Sequence, residues 1–266
     1  MKIAMQIEKN WPVVILCGGQ GTRLREETEY KPKPMVNVGG QPILMHIMRT
    51  YAKFGFKRFI LCLGYRGDMI KQYFHVREMM DNDVTINLSD RSKDKVHKST
   101  AGEDWEITFV ETGLNAQTGS RIKKIEKYID TDHFLATYGD GVADIDIEKL
   151  AQFHLSEGRM ATLTGVRPPS RFGLMEIEGS KVVKFKEKPL INEHINGGFY
   201  VFSKKVFEHL KAEDNFVLEK DALPSIAQKG ELSIHKHDGF WHMMDTYKDY
   251  LDLNKMWDSG NAKWKV

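Results

Sequence analysis

The stretch VVILCGGQGTR, residues 13–23, places a short β-branched run directly before three glycines. A continuous apolar run of this length is typical of a strand buried on both faces, as in a parallel sheet. Glycines after such a strand let the backbone approach a ligand closely, and their N–H groups form a cradle for an anion. Arg23 adds a planar fork of donors suited to phosphate. The stretch therefore predicts a phosphate-binding loop at the end of a central strand.

Two familiar nucleotide-binding motifs are absent from this loop. A P-loop requires the pattern GxxxxGK[ST], which residues 13–23 lack, and a dinucleotide fingerprint requires a third glycine where Leu24 stands. Lys31 and Lys33 follow, and each precedes a proline that fixes the backbone and is expected to prevent a helix. Alone, this segment would be a solvated charge run. After the glycine-rich loop, it predicts a rigid arm that delivers a cation to a bound phosphate.

Strand and helix patterns alternate along the chain beyond the loop. Apolar residues recur at helical spacing over residues 42–54, with proline at the start and glycine just past the end. A second helix is predicted at residues 68–74, and buried strands are predicted at residues 58–63, 105–110, 134–137 and 161–166. This alternation predicts an α/β fold with a doubly wound parallel sheet. The polar residues 76–104 interrupt it, and we expect them to form a flap or a contact segment outside the sheet.

The C-terminal third has a different pattern, with strands following one another closely. Strands are predicted at residues 174–177, 182–185, 198–202 and 233–237, and a helix lies within residues 216–230. We expect a small β-rich C-terminal subregion that covers the edge of the sheet. The whole chain, 1–266, is then one domain, with a nucleotide-binding core at 12–165 and a sugar-binding and C-terminal part at 166–266.

A carboxylate follows the strand predicted at residues 134–137, within Tyr138-Gly139-Asp140-Gly141. Ligands of open α/β sheets bind at the carboxyl ends of the strands. An aspartate there suits Mg²⁺, which prefers one or two carboxylates together with phosphate oxygens. A plain turn remains an alternative for this tetrapeptide. The same alternative holds for three further motifs, which are Glu187-Lys188-Pro189, Asn196-Gly197-Gly198 and Met244-Asp245-Thr246.

Composition excludes several classes of protein. The net charge of +2 over 266 residues gives no argument for binding nucleic acid. Cys17 and Cys62 each lie in an apolar run, so we expect buried free thiols in a reducing compartment. No apolar run reaches the roughly 18 residues of a membrane span, and residues 1–11 lack the apolar core of a signal peptide. We therefore expect a cytoplasmic protein with neither nucleic-acid nor membrane partners.

Taken in order, the motifs GGQGTRL, KPKPM, YGDG, EKP, NGG and MDT resemble those of the sugar-1-phosphate nucleotidyltransferase family over nearly the whole chain. Longer strings, among them TYGDGVADIDI and GFWHMMDT, resemble its members that act on glucose 1-phosphate and CTP. The resemblance implies a Rossmann-like, mixed, mostly parallel sheet flanked by helices. It implies that CTP and α-D-glucose 1-phosphate give CDP-glucose and pyrophosphate, with Mg²⁺ as cofactor. It also implies a homo-oligomer.

The resemblance further assigns roles to single residues. The implied nucleotide-binding positions are Leu16, Gly18, Gly19, Gln20, Gly21, Thr22, Arg23, Lys33, Thr118, Arg121 and Gly139. The implied catalytic residues are Arg23, Lys33, Asp140, Lys188 and Asp245, of which Asp140 and Asp245 would also hold the metal. The implied sugar-binding residues are Glu187, Lys188 and Asn196. Ser120 and Ala116 depart from the family pattern, which has a glycine and a hydroxyl residue there.

These residues suit a reaction between two polyanions. The sugar phosphate is already anionic at neutral pH, so charge neutralisation and alignment are required rather than a general base. Motif chemistry leaves two alternatives open. One is the same reaction with another nucleoside triphosphate or sugar 1-phosphate. The other is a regulatory homologue that only binds nucleotide-sugars, which the presence of Arg23, Lys33 and Asp140 disfavours.

Overall fold

A seven-stranded sheet with helices packed on both faces forms the centre of the computed structural model, which describes residues 7–98 and 102–266. The strands are β1 (Val13–Leu16), β2 (Asn37–Val38), β3 (Gln41–Pro42), β4 (Arg58–Leu63), β5 (Asp83–Thr85), β6 (Lys95–His97), β7 (Glu106–Glu111), β8 (His133–Tyr138), β9 (Gly141–Ala143), β10 (Ala161–Val166), β11 (Leu174–Glu178), β12 (Lys181–Lys186), β13 (Ile195–Ser203), β14 (Leu232–His237) and β15 (Trp241–Met243). The α-helices are α1 (Arg25–Thr28), α2 (Ile43–Ala52), α3 (Gly67–Met80), α4 (Thr118–Lys124), α5 (Ile147–Glu157), α6 (Leu223–Gln228) and α7 (Tyr247–Asp258).

The strand order in the central sheet is β14-β10-β13-β8-β1-β4-β7. β1 pairs in parallel with β4 on one side and with β8 on the other. β13 is antiparallel to both of its neighbours, β8 and β10, so six strands run one way and one runs the other. The predicted mixed, mostly parallel sheet flanked by helices is therefore confirmed.

Two hydrophobic cores lie on opposite faces of this sheet, because successive strand side chains point to opposite faces. Val13 and Ile15 belong to the core that also contains apolar residues of α2, α5 and α7. Val14 belongs to the other core, with apolar residues of α4 and α6. Burial of β1 on both faces explains its unbroken apolar sequence. Cys17 and Cys62 are buried and free, as predicted.

The chain order reverses at β1, since β4 and β8 lie on its two sides. At such a point the loops after the central strands diverge and leave a crevice where α/β proteins bind ligands. The glycine-rich loop follows β1, and the segment with Asp140 follows β8. β13 runs backwards, so its first residues lie at this same edge of the sheet. The topology therefore brings three distant motifs to one rim.

The structure corrects three local predictions. α3 does not end near residue 74 but continues to Met80, so residues 76–80 are helical rather than part of the excursion; Arg77 supports the last turn through Asp81 and Glu103. Residues 99–101, within that predicted excursion, lie outside the described residues, as do residues 1–6.

The second correction concerns the prolines after Lys31 and Lys33, which do not prevent a helix. Lys33–Met35 form a 3₁₀ turn with Pro34 in its first turn, where no backbone N–H is needed.

The third correction concerns the C-terminal strands. β13 and β14 were expected in a subregion at the sheet edge, but both belong to the central sheet, where most of β13 is buried. Of the four predicted C-terminal strands, β11 and β12 lie outside the central sheet, as a two-stranded hairpin whose strand residues are all exposed. Within the described residues, no helix is long and apolar enough to cross a membrane.

Candidate active site

A cavity of about 860 Å³ opens at the rim where the chain order reverses. The glycine-rich loop forms one wall, and residues 114–118 and the ends of β8 and β15 form the others. Most of the predicted site residues line it, namely Leu16, Gly18, Gly19, Gln20, Gly21, Thr22, Arg23, Lys33, Thr118, Arg121, Gly139, Asp140, Asn196 and Asp245. The fold thus gathers the motifs that the sequence presents far apart.

One end of the cavity is ionic, and Lys33 stands at its centre. The Lys33 Nζ lies 2.6 Å from Asp140 Oδ2 and 2.7 Å from Asp245 Oδ1. Arg23 Nη1 lies 3.0 Å from the other oxygen of Asp245. Lys33, Asp140 and Asp245 are largely buried, whereas Arg23 is exposed. Two cations and two carboxylates therefore neutralise one another where the phosphates were predicted to bind.

The ion pairs shift the pKa of two of these groups. Burial acts to lower the pKa of Lys33, but the charge of Asp140 and hydrogen bonds to both carboxylates outweigh it, so the pKa is raised. Burial acts to raise the pKa of Asp245, but the hydrogen bond and charge of Lys33, followed by Arg23, outweigh it, so the pKa is lowered. Both groups are therefore ionised at neutral pH.

Local packing explains why Asp245 meets Asp140 across a hundred residues of sequence. β15 pairs with β9 so that Met243 lies opposite Gly141, and the Met244 N–H donates to the Asp140 carbonyl at 2.9 Å. The helix α7 then begins with a capping box formed by Thr246 and Asp249. The paired strands and the fixed helix start together hold the Asp245 carboxylate in place.

Gly139 lines the cavity, and its lack of a side chain is required by the packing around it. A Cβ at this position would lie 2.9 Å from the Leu16 carbonyl oxygen and 2.9 Å from Pro34. The missing side chain lets the turn that carries Lys33 lie directly over the end of β8. The glycine therefore helps to set the distance between Lys33 and Asp140.

Arg121, predicted to contact the nucleotide, is mostly engaged by the protein itself. Its guanidinium donates to the carbonyls of Leu63 at 3.0 Å, Gly113 at 2.8 Å and Gly18 at 3.0 Å, and also to the Thr112 hydroxyl. Burial lowers the pKa of Arg121. The guanidinium clamps the glycine-rich loop to the ends of β4 and β7, so it shapes the cavity wall.

The other end of the cavity carries a hydrogen-bonded group that the sequence did not reveal. Glu219 accepts from the Tyr138 hydroxyl and, at 2.7 Å, from the Thr118 hydroxyl. Tyr138 lies 2.8 Å from the hydroxyl of Tyr200, which also accepts from the Asn196 amide. Glu219 lies in a single π-helical turn, Leu218–Ala222, a feature frequent at functional sites. In the sequence, it resembles an ordinary acidic residue in a first helical turn.

Glu187 and Lys188 are not brought into the cavity. They follow β12 on the exposed hairpin, pair with each other at 3.4 Å, and are absent from the described residues that line the cavity. Lys188 has φ of 44°, in the left-handed region that non-glycine residues rarely adopt. Of the predicted sugar-binding residues, only Asn196 reaches the cavity.

The carboxylates fit a metal that is shared with a substrate. Asp140 Oδ1 is buried without a hydrogen-bond partner, so one oxygen is free to act as a ligand. Asp245 approaches the same ammonium as Asp140, so the two carboxylates converge. Among the described residues, no group of three or more His, Cys, Asp or Glu side chains is arranged to hold a metal. Two carboxylates without a complete protein cage match the usual environment of Mg²⁺ on phosphates.

Comparison with known proteins agrees with this geometry. The family model described as nucleotidyl transferase matches residues 12–259. The chain is 44% identical to the probable glucose-1-phosphate cytidylyltransferase of Bacillus subtilis and 46% identical to the glucose-1-phosphate cytidylyltransferase of Salmonella typhi; each match covers 95% of this chain and 98% of the relative. The crystal structure of HddC from Yersinia pseudotuberculosis superposes with a TM-score of 0.65 at 27% identity, covering 92% of this chain and 98% of that one.

Proposed function

Because the chain belongs to the nucleotidyl transferase family and is a sugar-1-phosphate nucleotidyltransferase, we propose that it transfers the cytidylyl group of CTP to α-D-glucose 1-phosphate. The products are CDP-glucose and pyrophosphate. The observation that carries the chemistry is the ionic end of the cavity, where Lys33 and Arg23 meet Asp140 and Asp245 beside the glycine-rich loop. The names of the two bacterial relatives support the choice of CTP and glucose 1-phosphate.

The reaction is a displacement at the α-phosphorus of CTP. A phosphate oxygen of glucose 1-phosphate forms a bond to this phosphorus, and the bond to the β-phosphate oxygen breaks in line. The electron pair of the broken bond leaves with pyrophosphate. The nucleophile is already an anion, so no side chain needs to remove a proton. The protein must instead align two polyanions and offset their charge, which are the main tasks in phosphoryl transfer.

The side chains of the ionic end divide these tasks. Arg23 and Lys33 bind the triphosphate, and the N–H groups of the glycine-rich loop surround it. Asp140 and Asp245 would hold Mg²⁺, which supplies further positive charge on the phosphate oxygens when it is bound. A bound triphosphate would offer phosphate oxygens to the Lys33 ammonium, so the carboxylates of Asp140 and Asp245 would be available to the metal.

The sugar phosphate is proposed to bind between Asn196 and the hairpin. Lys188 would contact its phosphate, and Glu187 would accept from sugar hydroxyls. Both residues lie outside the cavity lining. Movement of the exposed hairpin toward the rim, or packing of the hairpin within a homo-oligomer, would bring them to the substrate. We include a homo-oligomer in the proposal for this reason.

Pyrophosphate release tests the proposal directly. The purified protein is assayed with each of CTP, UTP, dTTP and GTP, in combination with the 1-phosphates of glucose, mannose and galactose, with and without Mg²⁺. We expect turnover with CTP and glucose 1-phosphate that requires the metal. Turnover with dTTP and not with CTP would refute the base assignment. Binding of CTP without any pyrophosphate release would refute the proposed reaction.

A further inference from the structure

The two ends of the cavity differ in chemistry, and the glycine-rich loop joins them. At one end of the loop, Arg23 pairs with Asp245 in the ionic cluster. At the other, the Gly18 carbonyl accepts from Arg121, which also holds residues 112–114. A nucleotide whose phosphates meet the ionic cluster can therefore extend along the loop toward the end that carries Glu219. Its base then reaches the wall that carries Thr118.

The hydrogen bonds around Glu219 can run in only one direction. A carboxylate is a pure acceptor, so the hydroxyl protons of Tyr138 and Thr118 must both point to Glu219. The Tyr138 oxygen must then accept from Tyr200, whose own oxygen accepts from the Asn196 amide. Burial, followed by the neighbouring Tyr200 and Glu219, raises the pKa of Tyr138, so its proton stays in place. Glu219 is therefore the final acceptor of this series of hydrogen bonds.

The Thr118 hydroxyl can still accept one hydrogen bond from the cavity. Its proton is committed to Glu219, and one oxygen lone pair accepts from the Leu218 N–H at 3.0 Å. The remaining lone pair can accept from a ligand, but the hydroxyl cannot donate to one. Cytosine presents an amino group at C4, which donates, whereas uracil and thymine present a carbonyl oxygen, which accepts. A Thr118 hydroxyl that can only accept therefore discriminates between these bases at this position.

We propose that Glu219 is a positioning residue for base selection, which keeps the Thr118 hydroxyl as an acceptor for the amino group of cytosine. This inference rests on the proposed function, because it takes CTP as the nucleotide. Glu219 acts through Thr118 rather than on the reacting phosphates. A base with a carbonyl at C4 would face an unpaired acceptor, and buried polar groups left unpaired are the strongest basis of discrimination between similar ligands.

Glu219→Gln is the informative change because it keeps the size of the side chain and alters only its donor pattern. The two hydroxyls bond to different oxygens of Glu219, and the amide replaces one of these oxygens with an NH₂ group, so it cannot accept at both positions. If the oxygen keeps Tyr138, the NH₂ group donates to Thr118 and turns the Thr118 proton toward the cavity. The wall then offers a donor, which favours the carbonyl of UTP.

The test compares kcat/KM for CTP with kcat/KM for UTP, using glucose 1-phosphate and Mg²⁺. We expect Glu219→Gln to lower the CTP-to-UTP ratio about tenfold or more. Thr118→Val should also lower the ratio, whereas Thr118→Ser, which keeps the hydroxyl, should have the ratio of the wild type. Tyr200→Phe is the matched control, because it breaks the chain on the far side of Tyr138 and leaves the bond between Glu219 and Thr118; its ratio should equal that of the wild type.

The double variant Glu219→Gln, Thr118→Val decides whether Glu219 acts through Thr118. If it does, the double variant should have the same CTP-to-UTP ratio as Thr118→Val alone. An additive loss, or an equal loss of activity with both nucleotides in Glu219→Gln, would overturn the inference. If thermal melting shows that Glu219→Gln is not folded, Thr118→Val alone decides the question. An unchanged CTP-to-UTP ratio in Thr118→Val would then overturn the inference. Failure of the wild type to use CTP would instead count against the proposed function.

Discussion

The ionic end of the cavity and the β11–β12 hairpin both carry predicted site residues, but they are built in opposite ways. Lys33, Asp140 and Asp245 come from three distant segments, and the sheet and its flanking strands bring them within hydrogen-bond distance. Glu187 and Lys188 are adjacent in sequence and lie on an exposed hairpin that packs on no core. The residues of the ionic end are therefore brought together by the central fold itself. The position of Glu187 and Lys188 depends instead on the placement of one hairpin.

The largest expected effect is a loss of activity when Lys33 is replaced, which replacement of its neighbour Lys31 should not cause. Lys33→Ala and Asp140→Asn should each lower kcat/KM for pyrophosphate release by about 10³-fold, because each removes charge that faces the triphosphate or its metal. Lys31→Ala is the matched control. Lys31 pairs with Glu27 at 2.9 Å rather than with the ionic cluster, so a change of less than about threefold is expected. Near-normal turnover in Lys33→Ala would remove this residue from the mechanism.

A smaller effect is expected from the hairpin. Lys188→Ala should raise KM for glucose 1-phosphate by about tenfold and leave KM for CTP unchanged, since one charge-assisted contact to the sugar phosphate is lost. Lys181→Ala, at the other end of β12, should alter neither constant. Thermal melting should show no change in either variant, because both side chains are exposed. Equal KM values for Lys188→Ala and Lys181→Ala would show that the hairpin does not reach the substrate.

The smallest effect is on stability and depends on pH. The lowered pKa of Asp245 contributes stability above its unfolded value of about 3.9, and this is lost as the pH falls through the folded value. The raised pKa of Lys33 contributes stability below its unfolded value of about 10.4, and this is lost as the pH rises through the folded value.

Asp245→Asn should therefore melt below the wild type by a deficit that is constant between about pH 5 and 9 and shrinks below about pH 4. Each kcal/mol lost corresponds to about 2–4 °C for a chain of this size. Melting curves are measured in EDTA, so that metal does not contribute. A deficit that does not change between pH 3 and 7 would contradict a role for the ionised pair in stability.

The central strands were predictable from sequence because their signal is local. Strands buried on both faces are rich in apolar and β-branched residues, and β4 and β10 occur at the predicted residues. The place of β13 was not predictable in this way. Its apolar run shows that it is buried, but not that it lies between β8 and β10 or runs against them. Strand order depends on pairing between distant segments, which short-range patterns do not contain.

Residues of the candidate site were predictable where they stand in a recognisable sequence motif. They were not predictable where their role depends on contacts with residues distant in the sequence. Arg23, Lys33 and Asp140 stand in segments whose glycines and prolines already indicate a ligand site. Glu219 has no such setting, and its role comes from a hydroxyl 101 residues away. Arg121 shows the reverse case. A guanidinium after a family motif suggests phosphate or base, but five neighbouring acceptors of the protein itself occupy it.

The connection between β10 and β13 gives this fold a means of diversification. These strands are adjacent and antiparallel, with Val166 opposite Ile195, so the segment 167–194 leaves and re-enters the sheet at nearly the same point. Pro169 and Leu190 continue the pairing a little way beyond the rim. An insertion whose ends already meet can be lengthened, shortened or exchanged without moving any strand of the sheet. Evolution, or a designer of chimeric enzymes, can therefore alter this segment while the strands that position the cavity walls keep their places.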